Sequence, residues 1–167
     1  MHNRMKSKIP ACFENARLLH ESFGIVPLMY GSLGLEYLTG QSLSADDIDI
    51  LIPGIYVGEK WDALKFLLQT HGYALIDEHE HEFEKGGVHY AYARIEELES
   101  FAGIRPTDIT QRDEDGVRFL LLSLEQYLRV YTVSAKDGYR INTRNKKDHE
   151  KIRLINTLIE HRQLQRI

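Results

Sequence analysis

Leu28-Met29-Tyr30-Gly31-Ser32-Leu33-Gly34-Leu35-Glu36-Tyr37-Leu38, followed after a polar loop by Asp47-Ile48-Asp49-Ile50-Leu51-Ile52, is the stretch whose reading decides the fold. An apolar run leads into a Gly-Ser pair, and two acids alternate with aliphatics a short way downstream. Successive side chains on a strand point to opposite faces. The spacing therefore predicts Asp47 and Asp49 together on one face, with Ile48 and Ile50 in a core. Two carboxylates held side by side repel unless a cation lies between them. Hard oxygen ligands of this kind suit Mg²⁺, which keeps several waters and takes further ligands from substrate phosphates. Gly31 allows the backbone to approach a phosphate closely. Ser32 adds a hydroxyl donor, and a helix opening there supplies free amides at the positive end of its dipole. The expectation is an anion cradle at Gly31 and Ser32 facing a divalent cation at Asp47 and Asp49.

Outward from this stretch, apolar residues recurring at helical spacing (Cys12, Ala16, Leu19, Phe23) predict a helix over 10–24, stopped by Gly24. A strand is expected over 25–30, a short helix over 33–38 closed by Gly40, and a second strand over 47–53 ended by Pro53-Gly54. Trp61, Leu64, Leu68 and His71 form one stripe of a helix over 59–71. Residues 73–95 read as two strands around Lys85-Gly86-Gly87-Val88, because a tight two-residue turn favours positive φ. That register pairs Phe83 with Tyr90 and His81 with Tyr92 on an apolar face. Glu82, Glu84, His89, Ala91 and Ala93 fall on a polar, small-residue face. A second hairpin is expected over 107–122 around Asp115-Gly116. Ser123-Leu124-Glu125-Gln126 is a capping box, and Leu124, Tyr127, Leu128 and Tyr131 continue it as a helix. A polar link over 134–145 leads to a last helix from near Lys146, with Ile152, Ile155, Leu158 and Ile159 on one side. The fold class is α+β: a mixed sheet flanked by helices over 1–122, and a small helical C-terminal part over 123–167.

The chain of 167 residues, 43% hydrophobic and 28% charged, is large enough for a packed core. Its net charge of -4 speaks against nucleic acid as a partner, since sequence-independent binding needs a basic field. A single cysteine, Cys12, excludes an intrachain disulfide and points to a reducing compartment. The start Met1-His2-Asn3-Arg4-Met5-Lys6 is followed by no apolar run, and no stretch has the roughly 18 apolar residues of a spanning helix. A cytoplasmic address without membrane contact is expected.

The Gly-Ser pair and the Asp-x-Asp strand, in this order between apolar strands, resemble the signature of the nucleotidyltransferase superfamily. The likeness extends to Ser134-Ala135-Lys136-Asp137-Gly138-Tyr139-Arg140 and Lys147-Asp148-His149-Glu150-Lys151-Ile152, which are similar to helical segments following the sheet in small members. In style the chain is similar to small antibiotic-modifying bacterial nucleotidyltransferases and to bacterial nucleotidyltransferase-like proteins. The resemblance implies a transfer of a nucleoside monophosphate from an NTP to a hydroxyl of a small-molecule or protein acceptor. It implies Mg²⁺ or Mn²⁺ at Asp47 and Asp49, nucleotide at Gly31 and Ser32, and Lys146 or Lys147 reaching the β- or γ-phosphate. The family usually carries a third acid on a following strand. The segment Val88-His89-Tyr90-Ala91-Tyr92-Ala93-Arg94 has none. His89 stands about where it belongs, and Glu82 or Glu84 offers a carboxylate on the same face, ahead of Glu96 and Glu97. A catalytically silent nucleotide-binding or regulatory protein is the alternative that this gap motivates, and a protein-interaction role is a third. Acceptor, base preference and oligomeric state, a homodimer included, are left open.

Other groups read more plainly. His79 and His81 alternate as two zinc ligands would, but His89 falls on the opposite face and no cysteine joins them. Lys136, Arg140, Arg144, Lys146 and Lys147 are basic enough to meet a triphosphate, although such runs are most often solvated. Tyr127 and Tyr131 read as packing residues, and Cys12 as a small buried one.

Overall fold

The computed structural model describes residues 7–136 and 143–165, the side chains of 143–146 excepted. The chain divides into two compact units, one of residues 1–96 and 110–121, the other of 97–109 and 122–167. Residues 97–109 thus group with the C-terminal helices, not with the sheet that precedes them.

The first unit starts with α1 (Ile9–Phe23), β1 (Leu28–Tyr30), α2 (Gly31–Thr39) and β2 (Ile48–Ile52). It continues through α3 (Trp61–Thr70), β3 (Ala74–Asp77), β4 (Glu82–Lys85) and β5 (Val88–Arg94) to β6 (Thr110–Glu114) and β7 (Val117–Leu121). The strands form one mixed sheet in the order β3-β4-β5-β2-β1-β7-β6. β1 pairs antiparallel with β2, while β2 and β5 run parallel. The α+β class expected from the sequence is the class observed.

Alternation explains which face packs. Ile48, Ile50, Phe83, Tyr90 and Tyr92 turn inward and join Cys12, Ala16 and Leu19 of α1 and Leu64 and Leu68 of α3 in a single core. The expected pairing of Phe83 with Tyr90 holds. Gly86 and Gly87 take φ of 60° and 78° at the turn between β4 and β5, as such a tight turn requires. Within this core, buried Asn15 donates from Nδ2 to the Tyr92 hydroxyl at 2.7 Å. That bond joins α1 to the strand beside β2, and a buried amide left without it would incur a desolvation penalty.

Several boundaries differ from the sequence reading. β1 begins at Leu28, not Ile25, and Asp47 lies in the bend just before β2. α2 opens at Gly31 itself. Residues 73–95 hold three strands, because β3 turns back at residues 78–81 before β4 starts. A short helix, α4 (Glu97–Ala102), occupies a segment for which no periodicity was evident.

In the second unit, α5 (Leu124–Lys136) starts at the expected capping box. Gln126 N donates to Ser123 Oγ at 3.1 Å, and Ser123 N donates to Gln126 Oε1 at 2.9 Å. The expected link beginning at Ser134 is helical as far as Lys136, because Ser134 is buried and donates to buried Asp148 at 2.7 Å. Asp148 lies on α6 (Thr143–Gln165), whose Ile155 is fully buried. Tyr127 and Tyr131 stack at 5.8 Å, both buried, so they pack the unit as expected.

Burial pushes the Cys12 thiol up from its ordinary 9.0 to about 12. Folded protein at pH 8 is therefore expected to leave Cys12 unmodified by a maleimide, whereas urea-unfolded protein reacts with one equivalent, as mass spectrometry would read. The unfolded thiol ionises near its ordinary value. The stabilisation from its burial is present below that pH and falls away as pH rises from 9 towards 12.

Candidate nucleotide and metal site

The antiparallel pairing of β1 with β2 brings the two halves of the decisive stretch together. Tyr30 pairs with Asp49 and Met29 with Ile50, so the chain turns into α2 at Gly31 beside the Asp49 side chain. Gly31 has φ of +65°, a conformation that disfavours any side chain. A Cβ there would lie 2.6 Å from Asp49 Oδ2 and 3.4 Å from Asp49 Cβ and Cγ. The carboxylate thus fills the space that the missing side chain leaves. Tyr30, extended at φ of -107°, precedes the helix without capping it through its side chain. Ser32 stands half-buried in the first turn.

Asp47 joins the same face from the other side. His89 Nδ1 lies 4.0 Å from Asp47 Oδ1, and both side chains are about half exposed, at 51% and 53%. His89 precedes Tyr90, which is buried on the opposite face, so His89 marks the acid face. Parallel pairing sets Asp49 level with Ala91, and antiparallel pairing sets Ala91 level with Glu82. Glu84 is level with His89. The face predicted to be polar therefore carries two rows: Glu82, Ala91, Asp49 and Tyr30 in one, and Glu84, His89 and Asp47 in the other.

Asp47, Asp49, Gly31, Ser32, Glu82 and His89 all belong to the first unit. Lys147 is exposed on α6 in the second unit, and the Lys146 side chain lies outside the described residues, as does Arg140. Among the described residues, no group of three or more His, Cys, Asp or Glu side chains is arranged to hold a metal ion. The donor set offers two carboxylates, which suits a cation that draws its remaining ligands from water and phosphate. The zinc reading of His79 and His81 finds no such group either. The His81 ring packs edge-on against Trp61 at 4.5 Å, and its burial lowers its pKa from the ordinary value.

Sequence reasoning put Ala91 on the polar face and Tyr30 at the end of the first strand but gave neither a part in the site. Both were detectable as the residue before the Gly-Ser pair and as the small member of the alternation His89-Ala91-Ala93. A cavity of about 420 Å³ is lined by Glu36, Tyr37, Gln41, Ser42, Ser44 and Asp46 among others, by the C-terminal end of α2, and by none of the site residues named above.

The chain is 41% identical over 146 residues to the uncharacterized protein YnaI of Bacillus subtilis (strain 168), spanning 87% of this chain and 94% of that one. The chain belongs to the YnaI family. No family model matches it. Two solved structures share its architecture. An antigenic nucleotidyltransferase-like protein from Paracoccidioides brasiliensis superposes with a TM-score of 0.60 at 18% identity, covering 87% of this chain and 73% of that one. The antibiotic-resistance factor ANT(2'')-Ia gives 0.56 at 14% identity, covering 96% of each. The fold of this YnaI relative is therefore nucleotidyltransferase-like. No helix among its described residues is long and apolar enough to cross a membrane.

Gly31→Ala tests the cradle. Its left-handed backbone is expected to cost about 1–2 kcal/mol in urea unfolding, and the added methyl to displace the Asp49 carboxylate. An unchanged midpoint together with unchanged Mn²⁺ binding would contradict this geometry.

Proposed function

We propose that this protein transfers a nucleoside monophosphate from an NTP to a hydroxyl of a small-molecule acceptor, with Mg²⁺ or Mn²⁺ as cofactor. The observation that carries this reading is the contact between Asp49 and Gly31. A carboxylate able to ligate a cation lies directly against a backbone that opens a helix. Phosphate oxygens bridge those two functions naturally, since a helix start attracts anions and a cation bound beside it attracts them further.

Asp47 and Asp49 would hold the cation, and Gly31 and Ser32 would receive the phosphates. When bound, the cation would neutralise charge on the triphosphate and polarise the phosphoryl group under attack. The fixed β1–β2 register would orient Asp49, and the core behind Ile48 and Ile50 would keep both acids from drifting. The net charge of -4 remains an argument against a nucleic-acid acceptor.

A silent nucleotide-binding protein is the second reading, favoured by one observation: the position level with Asp49 on β5 is Ala91 and not an acid. The two readings separate on chemistry. Each NTP, labelled at the α-phosphorus, would be incubated with Mn²⁺ and an extract of cellular small molecules. Appearance of label on an acceptor, with release of pyrophosphate, is the expected result. Retention of all label in intact NTP would favour the silent reading. Asp47→Ala/Asp49→Ala is expected to fold as wild type yet lose Mn²⁺-dependent NTP binding in calorimetric titration. Wild-type affinity in that variant would overturn the site.

A further inference from the structure

We propose that Lys8 and Glu36 are positioning residues: they tether the loop over 41–46 so that Asp47 enters the cation site at a fixed place. This rests on the reading of Asp47 and Asp49 as cation ligands above. The two acids are held unequally. Asp49 lies inside β2, paired with Tyr30 on one side and Ala91 on the other, with its carboxylate against Gly31. Asp47 precedes the first paired residue of β2, Ile48, and its side chain is about half exposed. Among the described residues its only ion-pair neighbour is His89, at 4.0 Å, which is too long for a hydrogen bond. β2 holds Asp47 from one end. From the other end, the path of the preceding loop decides where its carboxylate lies.

That loop has no backbone ladder of its own. Among the described residues, no backbone group of 41–46 bonds to another backbone group. Side chains hold it instead. Lys8 Nζ donates to the Ala45 carbonyl at 2.9 Å, and Leu43 N donates to Glu36 Oε1 at 2.7 Å. Gln41 N donates to Thr39 Oγ1 at 3.2 Å, at the exit from α2. The Lys8 and Glu36 tethers grip the residues on either side of Ser44, which has φ of +53°. A non-glycine residue in the left-handed region costs free energy and persists where its surroundings over-determine it. Both tethers start from fixed points. The Lys8 carbonyl accepts from the amide of buried Cys12 at 3.0 Å in the first turn of α1. Glu36 follows fully buried Leu35 on α2. The cavity of about 420 Å³ is bounded by Lys8, Glu36 and this loop. Without the tethers the loop relaxes into that space, and Asp47, two residues beyond Ala45, moves with it.

Lys8 and Glu36 act through the backbone that delivers Asp47, not by touching the cation. Loss of a group that orients a metal ligand commonly lowers metal affinity by about 10- to 100-fold. The effect falls on the cation, because Gly31 and Ser32 are set by β1 and the opening of α2 and not by this loop.

Lys8→Met and Glu36→Leu are each expected to weaken Mn²⁺ binding by about 10-fold, read by calorimetry in the presence of a non-hydrolysable NTP. Lys8→Arg keeps a donor and Glu36→Gln keeps an acceptor, and both are expected to recover most of that affinity. Nitrogen-15 relaxation is expected to show added mobility over 41–47 and none over 49–52 in Lys8→Met and Glu36→Leu. Cys12 is expected to stay closed to maleimide in every variant, which reports an intact core. Wild-type Mn²⁺ affinity in both Lys8→Met and Glu36→Leu overturns the tether role and leaves Asp47 and Asp49 standing as ligands. So does an equal loss in Lys8→Met and Lys8→Arg, or a reactive Cys12, which makes the loss one of folding. Failure of the wild type to bind Mn²⁺ with NTP overturns the cation site and the positioning role together.

Discussion

The contact between the Asp49 carboxylate and the Gly31 backbone sets the geometry of the candidate site. It exists because β1 pairs antiparallel with β2 in a register that sets Tyr30 opposite Asp49. A slip of one residue would turn Asp49 into the core and Ile50 outward. Burial of Ile48, Ile50 and Ile52 opposes that slip strongly, since all three are essentially inaccessible to solvent. The hydrophobic core on one face thus fixes the acid geometry on the other. The Asn15–Tyr92 hydrogen bond ties α1 to β5 on the core side, and β5 pairs with β2.

Much of this was legible in the chain because period-2 alternation and glycine placement have direct geometric meaning. Asp47-Ile48-Asp49-Ile50 predicted which side chains face together, and Gly86-Gly87 predicted the turn that aligns Glu84 with His89. The Ser123–Gln126 capping box formed as read. What escaped had weaker local signals. α4 is six residues long, too short to show a helical period. β3 is largely exposed, so it carries no run of buried residues to announce it. The grouping of residues 97–109 with the C-terminal helices depends on contacts distant in sequence, such as Gln126 Nε2 donating to the Asp108 carbonyl at 3.0 Å.

The site itself divides along the same line. Gly31, Ser32, Asp47 and Asp49 sit in one continuous stretch, where spacing alone orders them. Glu82, His89 and Ala91 acquire meaning only from sheet order, because β5 lies beside β2 although nearly forty residues separate them. Likeness of fold does not carry chemistry, which must be argued from these particular side chains. Ala91 is informative here. Level with Asp49, where a further acid could stand, β5 presents only a methyl.

The central claim is that a divalent cation and a triphosphate meet between β2 and the start of α2. Paramagnetic broadening of backbone amide signals by substoichiometric Mn²⁺, in the presence of a non-hydrolysable NTP, tests it most directly. The account predicts that Ser32, Leu33, Asp49 and Ala91 broaden first and that excess EDTA reverses the effect. Broadening centred on the exposed His79–Glu80 turn, with Ser32 and Asp49 unaffected, would contradict it.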